Sequence, residues 1–179
     1  MKNALIIAGR LNQDHEFIYP FYRLKEEGYD VTTAIEENKI VNGYFGTKIP
    51  PQKNDKVISF EKLDARSYDL LIIPGGVKAM EHLRLNKNVL EFIKKFDDLE
   101  KTIGAICSAA MMLISAKIVK GRKISGYPAW KDDIENAGAT YIDKPCVIDK
   151  NLVTSPHYKY NGEWMKGVLS VENKKNEKN

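Results

Sequence analysis

Short apolar segments alternate with amphipathic ones along the first part of the chain. Residues 4–8 (ALIIA) are continuously apolar and predict a strand buried on both faces, as in a parallel sheet. Residues 16–27 repeat apolar side chains at helical spacing, and Gly28 follows as a stop signal. Residues 31–35 (VTTAI) are rich in β-branched side chains and predict the second strand. A strand, a helix and a strand in this order predict a parallel sheet with right-handed crossovers.

The same alternation continues to the end of the chain. Residues 36–55 are less regular and hold Asn42-Gly43, Gly46 and Pro50-Pro51, so we expect a flap with a small β excursion there. Further strands are expected at 56–60, 69–73, 102–106 and 123–125, a hairpin at 146–148 and 152–154, and helices at 86–99, 108–116, 128–137 and 161–172. This order predicts a three-layer α/β sandwich with a mostly parallel central sheet.

Length and composition narrow the class of protein. A chain of 179 residues fits a single domain, expected at 1–172, followed by a polar C-terminal tail at 173–179. The net charge of +4 is spread without a basic block, which argues against a nucleic-acid partner. Two cysteines are too few for a disulfide scaffold. The first apolar run is too short for a signal peptide or a membrane span, so we expect a reduced, cytoplasmic protein with no membrane partner.

Cys107 stands where a buried strand meets the start of a helix. Ala105 and Ala109 lie two residues to either side of it in the segment GAICSAA, which is the small-x-nucleophile-x-small pattern of a nucleophile elbow. Such a turn aims the thiol across the helix N-terminus, where unpaired N–H groups are expected to lower its pKa. A buried structural cysteine at the end of a strand fits the same segment.

A second segment that is a candidate for the active site is Ile72-Ile73-Pro74-Gly75-Gly76. A strand that ends in proline and two glycines exposes backbone N–H groups at the carboxyl edge of the sheet, where ligands bind in open α/β folds. Two such groups beside a nucleophile would form an oxyanion hole. A plain tight turn is the alternative interpretation.

Six segments follow one another in a characteristic order along residues 2–155. They are Glu16-Phe17-Ile18-Tyr19-Pro20, Arg23-Leu24-Lys25-Glu26-Glu27-Gly28, IIPGG, the AIC elbow, Gly121-Arg122-Lys123 and Tyr127-Pro128-Ala129-Trp130-Lys131-Asp132-Asp133. Together they resemble the ThiJ/PfpI superfamily, most closely its PfpI branch of intracellular proteases and deglycases. The resemblance implies a flavodoxin-like, class I glutamine-amidotransferase-like sandwich.

The resemblance also implies roles for individual residues. Cys107 matches the family nucleophile, and Glu16 matches the glutamate that hydrogen-bonds the thiol. A carboxyl group beside a thiolate must keep its proton, so the pKa of Glu16 is expected to be raised. Gly75, Gly76 and Ser108 would supply the oxyanion hole through their backbone N–H groups.

The chain departs from the family pattern where histidines are usual. Ser108 stands at the position of the histidine that follows the cysteine in PfpI-type proteases, and Tyr127 stands at the position of the deglycase histidine. Amide hydrolysis needs a general acid for the amine leaving group, so these changes count against a peptidase. His157, His15 and Tyr127 are the remaining candidates for the pocket.

Three functions stay open on the sequence. The first is a cysteine-dependent enzyme that acts on a reactive carbonyl compound, such as a glutathione-independent glyoxalase or deglycase. The second is a PfpI-like intracellular cysteine peptidase or amidase, and the third is a non-catalytic stress-response protein that senses oxidants through Cys107. Metal-ligand spacings, phosphate loops and dinucleotide glycine patterns are absent from the sequence, so we expect no metal and no cofactor. A small-molecule substrate and a homo-oligomer are expected from the resemblance.

Overall fold

The computed structural model describes residues 2–176. Within them the strands are β1 (Asn3–Ile7), β2 (Asp30–Ala34), β3 (Val41–Asn42), β4 (Lys48–Ile49), β5 (Lys56–Ile58), β6 (Leu70–Ile73), β7 (Thr102–Ile106), β8 (Lys123–Ile124), β9 (Thr140–Tyr141), β10 (Val147–Asp149) and β11 (Leu152–Ser155). The α-helices are α1 (Asp14–Glu26), α2 (Val77–Leu83), α3 (Lys87–Asp98), α4 (Ala110–Ser115), α5 (Lys131–Asn136) and α6 (Asn161–Asn176). Short 3-10 turns lie at Phe60–Lys62, Cys107–Ala109, Pro128–Trp130 and Tyr158–Tyr160.

A seven-stranded sheet forms the centre of the described chain, in the order β10-β11-β7-β6-β1-β2-β5. Its strands pair in parallel, apart from the edge strand β10, which runs antiparallel to β11. The strands β1, β6 and β7 are almost entirely apolar because helices cover both faces of the sheet. The predicted flavodoxin-like α/β sandwich with a mostly parallel sheet is therefore confirmed.

Two apolar layers hold the helices against the sheet. On one face, α1 and α6 bury Phe17, Phe21, Trp164 and Val168 against β1, β6 and β11. On the other face, helices α2 to α5 bury residues such as Met80, Ile93, Phe96, Met112 and Ile134. Complete burial of one such side chain contributes about 1.5–3 kcal/mol. These layers fix the strand ends on which the site is built.

The C-terminal helix is longer than the sequence indicates. α6 continues to Asn176, four residues past its expected end at 172, so the first part of the expected polar tail is helical. Lys175 explains the extension, because its ammonium group donates to the Glu100 carbonyl and the Thr102 hydroxyl. The rest of the expected tail, residues 177–179, lies outside the described residues. No helix between residues 2 and 176 has the length and apolar content that crossing a bilayer requires.

Candidate active site

Three loops meet at the carboxyl edge of the sheet. They follow β1, β6 and β7, which are adjacent and parallel, so their carboxyl ends lie side by side. The loop after β1 leads into α1, whose first turn carries Glu16. The loop after β6 carries Gly75 and Gly76, and β7 ends directly before Cys107. The sheet therefore brings together residues that are far apart in the sequence.

Cys107 has the backbone of a strand-to-helix elbow. Its φ of 59° lies in the left-handed region, while the preceding Ile106 is still extended. A non-glycine residue in this region costs about 1–2 kcal/mol, and such strain is concentrated at functional sites. Ala105 and Ala109 are buried on either side, where larger side chains would crowd the turn. The half-buried thiol is thus held at the mouth of a pocket.

Glu16 lies completely buried in the first turn of α1. Its Oε2 accepts a hydrogen bond from the Gly75 N–H at 2.7 Å, whereas its Oε1 has no partner of regular hydrogen-bond geometry among the described residues. Burial raises the pKa of Glu16 to about 8, although hydrogen bonds to Gly75 and Cys107 act in the opposite direction. The carboxyl group is therefore mostly protonated at neutral pH and carries an acidic proton beside the thiol.

The environment of Cys107 contradicts the expected lowering of its pKa. Burial raises the pKa of the thiol to about 12, and the negative charge that Glu16 gains on ionisation adds to this, whereas hydrogen bonds from Ser108 act in the opposite direction. The physical reason is that burial and the adjacent Glu16 act directly on the sulfur. The chain after the thiol forms a 3-10 turn followed by α4, which has six residues.

The Gly75 amide does not serve the oxyanion hole as expected. Its N–H already donates to Glu16, so it is unavailable to a substrate oxygen while that hydrogen bond lasts. Gly76 and Ser108 line the pocket with Cys107, and their role as oxyanion-hole donors stays a prediction. Gly76 has a φ of 100°, which only glycine adopts without strain.

Asn12 is a buried residue at this site that the sequence analysis missed. Its side-chain amide donates to the carbonyl of Gly75 at 2.6 Å, and the backbone N–H of Gln13 donates to the same oxygen at 3.1 Å. Because a trans peptide directs its C=O and N–H to opposite sides, these bonds turn the Gly76 N–H away from the loop that follows β1. An asparagine in a loop gives no sequence signal for such a role, since turn formation explains it equally well.

The thiol opens into an apolar cavity of about 360 Å³. Besides Cys107, the lining residues are mostly aromatic or aliphatic and comprise Leu11, Gln13, Tyr44, Gly76, Val77, Lys78, Ser108, Tyr127, Ala129 and Trp130. Tyr127 is therefore in the pocket, as expected. A pocket of this character binds a small substrate through apolar contact and has few polar groups to orient it.

Comparison with known proteins shows the family of this chain. The family model described as the DJ-1/PfpI family matches residues 2–171. The chain belongs to the DJ-1/PfpI family. It is 36% identical over 167 residues to the protein named Deglycase PfpI of Pyrococcus furiosus, covering 93% of this chain and 97% of that protein. It is 35% identical over 156 residues to General stress protein 18 of Bacillus subtilis, covering 86% of this chain and 88% of that protein.

A solved structure supports the fold independently. The ThiJ/PfpI domain protein of Brachyspira murdochii superposes with a TM-score of 0.87 at 20% sequence identity, covering 96% of each chain. At this identity the likeness concerns the fold alone.

The flap of this DJ-1/PfpI protein is a short hairpin of β3 and β4 that forms one wall of the pocket through Tyr44. The buried carboxylate of Asp14 accepts the backbone N–H groups of Phe45 at 2.7 Å and Thr47 at 2.9 Å. Burial opposes the charge of Asp14, but these hydrogen bonds outweigh it and the pKa of this carboxyl is lowered. The first turn of α1 thus fixes the flap with Asp14 and carries the acid Glu16.

The two candidate histidines lie beside the pocket and are not among its lining residues. His15 is exposed, stacks on Tyr158 with ring centroids 5.0 Å apart, and faces a neighbouring groove. His157 accepts the Lys159 N–H at 3.2 Å through Nδ1 and approaches the pocket only through Tyr127, with the two ring centroids 6.3 Å apart. Both expected pocket contacts are thus replaced by contacts on the protein surface.

Proposed function

We propose that this chain is a cysteine-dependent enzyme that converts reactive α-ketoaldehydes without glutathione, in the manner of a glyoxalase or deglycase. The observation that carries the proposal is the pairing of Cys107 with a fully buried Glu16 whose pKa is raised to about 8. A nucleophile and a neutral acid in contact suit addition of sulfur to a carbonyl followed by proton shuttling.

The reaction starts when the minor thiolate form of Cys107 adds to the aldehyde carbon. A C–S bond forms, and the carbonyl oxygen takes the proton of Glu16 to give a hemithioacetal. The resulting Glu16 carboxylate removes the hydrogen from the former aldehyde carbon and returns it to the neighbouring carbon. The proton of the new hydroxyl group moves to the oxygen of that neighbouring carbon, which leaves a 2-hydroxy thioester on Cys107. Water then attacks the thioester while Glu16 takes one of its protons, which releases the 2-hydroxy acid and restores both groups. The sum is ketoaldehyde plus water giving 2-hydroxy acid.

Peptide hydrolysis fits the site less well. The amine leaving group must be protonated, and histidine usually does this in cysteine peptidases. Of the described residues that line the cavity, none is a histidine. Glu16 is the remaining acid, and it lies beneath the sulfur, bound to Gly75. Carbonyl addition avoids the problem because no amine leaves.

Oxidant sensing without catalysis is also less well supported. Oxidation of a thiol by peroxide needs neither a buried acid nor an apolar cavity for a carbon substrate, so a sensor leaves Glu16 and the cavity without a role. Both cysteines are free thiols, which suits the reduced, cytoplasmic compartment that we include in the proposal. A homo-oligomer, which we also include, is suggested by the exposed aromatic side chains of Tyr19, Tyr22 and Phe45 in one groove.

The proposal is tested by following conversion of methylglyoxal to lactate in the absence of glutathione. Cys107→Ala should abolish turnover, whereas the matched control Cys146→Ala should keep it, because Cys146 lies in contact with Gly167 of α6 and away from the pocket. Lactate formation that survives Cys107→Ala, or is absent from the wild-type protein, would reject the proposal.

A further inference from the structure

A chain of polar contacts leads from Cys107 through Ser108 to Trp130. The indole Nε1–H of Trp130 donates to the Ser108 hydroxyl oxygen at 3.2 Å, and that oxygen lies 3.8 Å from the sulfur of Cys107. Ser108 follows the nucleophile directly, while Trp130 ends a 3-10 turn 22 residues later. The fold thus places an indole N–H behind the residue next to the nucleophile.

The chemistry of the donors fixes the direction of this chain. An indole N–H can only donate, so the Ser108 oxygen accepts from Trp130. The hydroxyl hydrogen of Ser108 then remains available for donation. Among the described side chains, the sulfur of Cys107 is the other hydrogen-bond neighbour of this oxygen. A thiolate can only accept, so in that state Ser108 is the donor. Ser108 is 4% exposed, which limits competition from water for its hydroxyl group.

We propose that Trp130 is a positioning residue that acts through Ser108 to stabilise the thiolate of Cys107. The indole N–H holds the Ser108 oxygen so that the hydroxyl hydrogen points to the sulfur. Because this oxygen accepts a hydrogen bond from the indole, the hydrogen bond that the hydroxyl donates to the sulfur becomes stronger. The proposal concerns the charge on the sulfur and holds whichever substrate the enzyme takes, so it goes beyond the carbonyl chemistry proposed above.

The local electrostatics make this contact important. Burial and the charge of ionised Glu16 both oppose the thiolate, whereas the Ser108 hydroxyl and N–H favour it. A hydrogen bond to a group with few other stabilising partners has a large effect on its ionisation. Trp130 also lines the cavity, so an experiment must separate the indole N–H from the ring.

A double-mutant cycle makes that separation. Trp130→Phe keeps an aromatic ring and removes the N–H, and Ser108→Ala removes the hydroxyl while keeping the backbone. The alkylation rate of Cys107 by iodoacetamide is measured by peptide mass from pH 7 to pH 10 in both single variants and the double variant, with Cys146 in the same samples as internal control. Each single variant should slow Cys107 by about 2-fold to 10-fold at a given pH, the usual range for one hydrogen bond, and leave Cys146 unchanged.

The decisive result is the double variant. If Trp130 acts through Ser108, adding Trp130→Phe to Ser108→Ala should change the Cys107 rate no further. An equal loss in both backgrounds would mean that the ring acts on the pocket directly and would overturn the proposal. Wild-type alkylation in Trp130→Phe would overturn it as well.

An NMR measurement keeps the test independent of the folding of Trp130→Phe. The chain has two tryptophans, so its spectrum holds two indole N–H signals. Trp164 provides the internal control because its N–H donates to the Val153 carbonyl at 3.1 Å in the core. Ser108→Ala should shift the Trp130 signal and leave that of Trp164 in place. A Trp130 signal that does not respond to Ser108→Ala would refute the relay.

Discussion

Glu16 and Gly75, which are 59 residues apart in the sequence, are joined by a buried hydrogen bond of 2.7 Å from the Gly75 N–H to the Glu16 carboxyl. This bond occupies one oxygen of the acid and leaves the other without a regular partner next to the thiol. It also removes the Gly75 amide from the oxyanion hole. The same contact therefore determines how the acid is oriented and which backbone groups remain for a substrate.

Replacement of Glu16 separates its catalytic role from its structural role. Glu16→Gln retains an oxygen that accepts the Gly75 N–H but carries no exchangeable acid, so turnover of methylglyoxal should fall by roughly 10²–10⁴. Alkylation of Cys107 at pH 7 should stay near the wild-type rate, because a neutral amide resembles the protonated acid. Glu16→Asp draws the carboxyl back by one methylene and should impair both assays. Wild-type turnover in Glu16→Gln would contradict the proton shuttle.

The raised pKa of Glu16 also predicts how stability depends on pH. Its pKa rises from an ordinary value of 4.5 to about 8 in the folded protein, so the folded state binds the proton more tightly. The contribution of Glu16 to the free energy of unfolding is fully present below pH 4.5. It is lost as the pH rises toward 8, at up to about 1.4 kcal/mol per pH unit. The free energy of unfolding of wild type, relative to Glu16→Gln, should fall between pH 5 and pH 8 in urea titrations. If the free energies of unfolding of wild type and Glu16→Gln changed with pH in parallel, Glu16 would be ionised in the folded protein.

A glycine pair tests the backbone of the proposed oxyanion hole. Gly76 and Gly46 have φ values of 100° and 91°, so alanine is strained at either position. Only at Gly76 would the new Cβ meet backbone, 2.6 Å from Gln13 N, whereas nothing lies within 4 Å at Gly46. Gly46→Ala should cost about 1–2 kcal/mol of unfolding free energy, and Gly76→Ala about 1–3 kcal/mol more with loss of turnover. The unfolding free energy of both variants is measured by chemical denaturation. Equal losses in Gly46→Ala and Gly76→Ala, with turnover intact in Gly76→Ala, would argue against this account.

The apolar lining of the cavity predicts a substrate preference. A phenyl group buries more apolar area than a methyl group, so phenylglyoxal should have a kcat/KM about 10-fold to 100-fold above that of methylglyoxal. Tyr44→Ala removes part of the flap wall and should reduce this ratio. The measurement is the ratio of the two kcat/KM values in both proteins. A ratio near one in wild type would mean that the substrate contacts little beyond the sulfur.

The order of secondary structure could be predicted from the sequence because it depends on local patterns. The continuous apolar runs of β1, β6 and β7 are typical of strands covered on both faces. The start of α3 is also a local feature, because the Asn86 side chain caps it. The strand β9 was missed because two residues without an apolar pattern carry no periodic signal. The end of α6 was misjudged because its last turn is held by contacts with distant residues.

The position of Cys107 could be predicted for the same reason. Small residues around a reactive one, between a strand and a helix, are a local pattern, and the left-handed backbone there is a local property. The resemblance to other sequences then added Glu16 as its partner.

Only the tertiary structure decided the electrostatics and the hydrogen bonds of the site. Burial raises the pKa of Cys107, and burial depends on every element packed around the thiol. The sequence shows only that a helix begins after the cysteine. The Gly75 amide is occupied because α1 brings Glu16 to it, and Ser108 accepts a hydrogen bond from Trp130, which lies in a 3-10 turn 22 residues later in the chain. Sequence patterns report the short-range preferences of the backbone, but the partner of a polar group is set by long-range packing. The fold and the elbow at Cys107 could therefore be predicted from the sequence, while the hydrogen bonds and charges around the thiol became visible only once the strands were assembled.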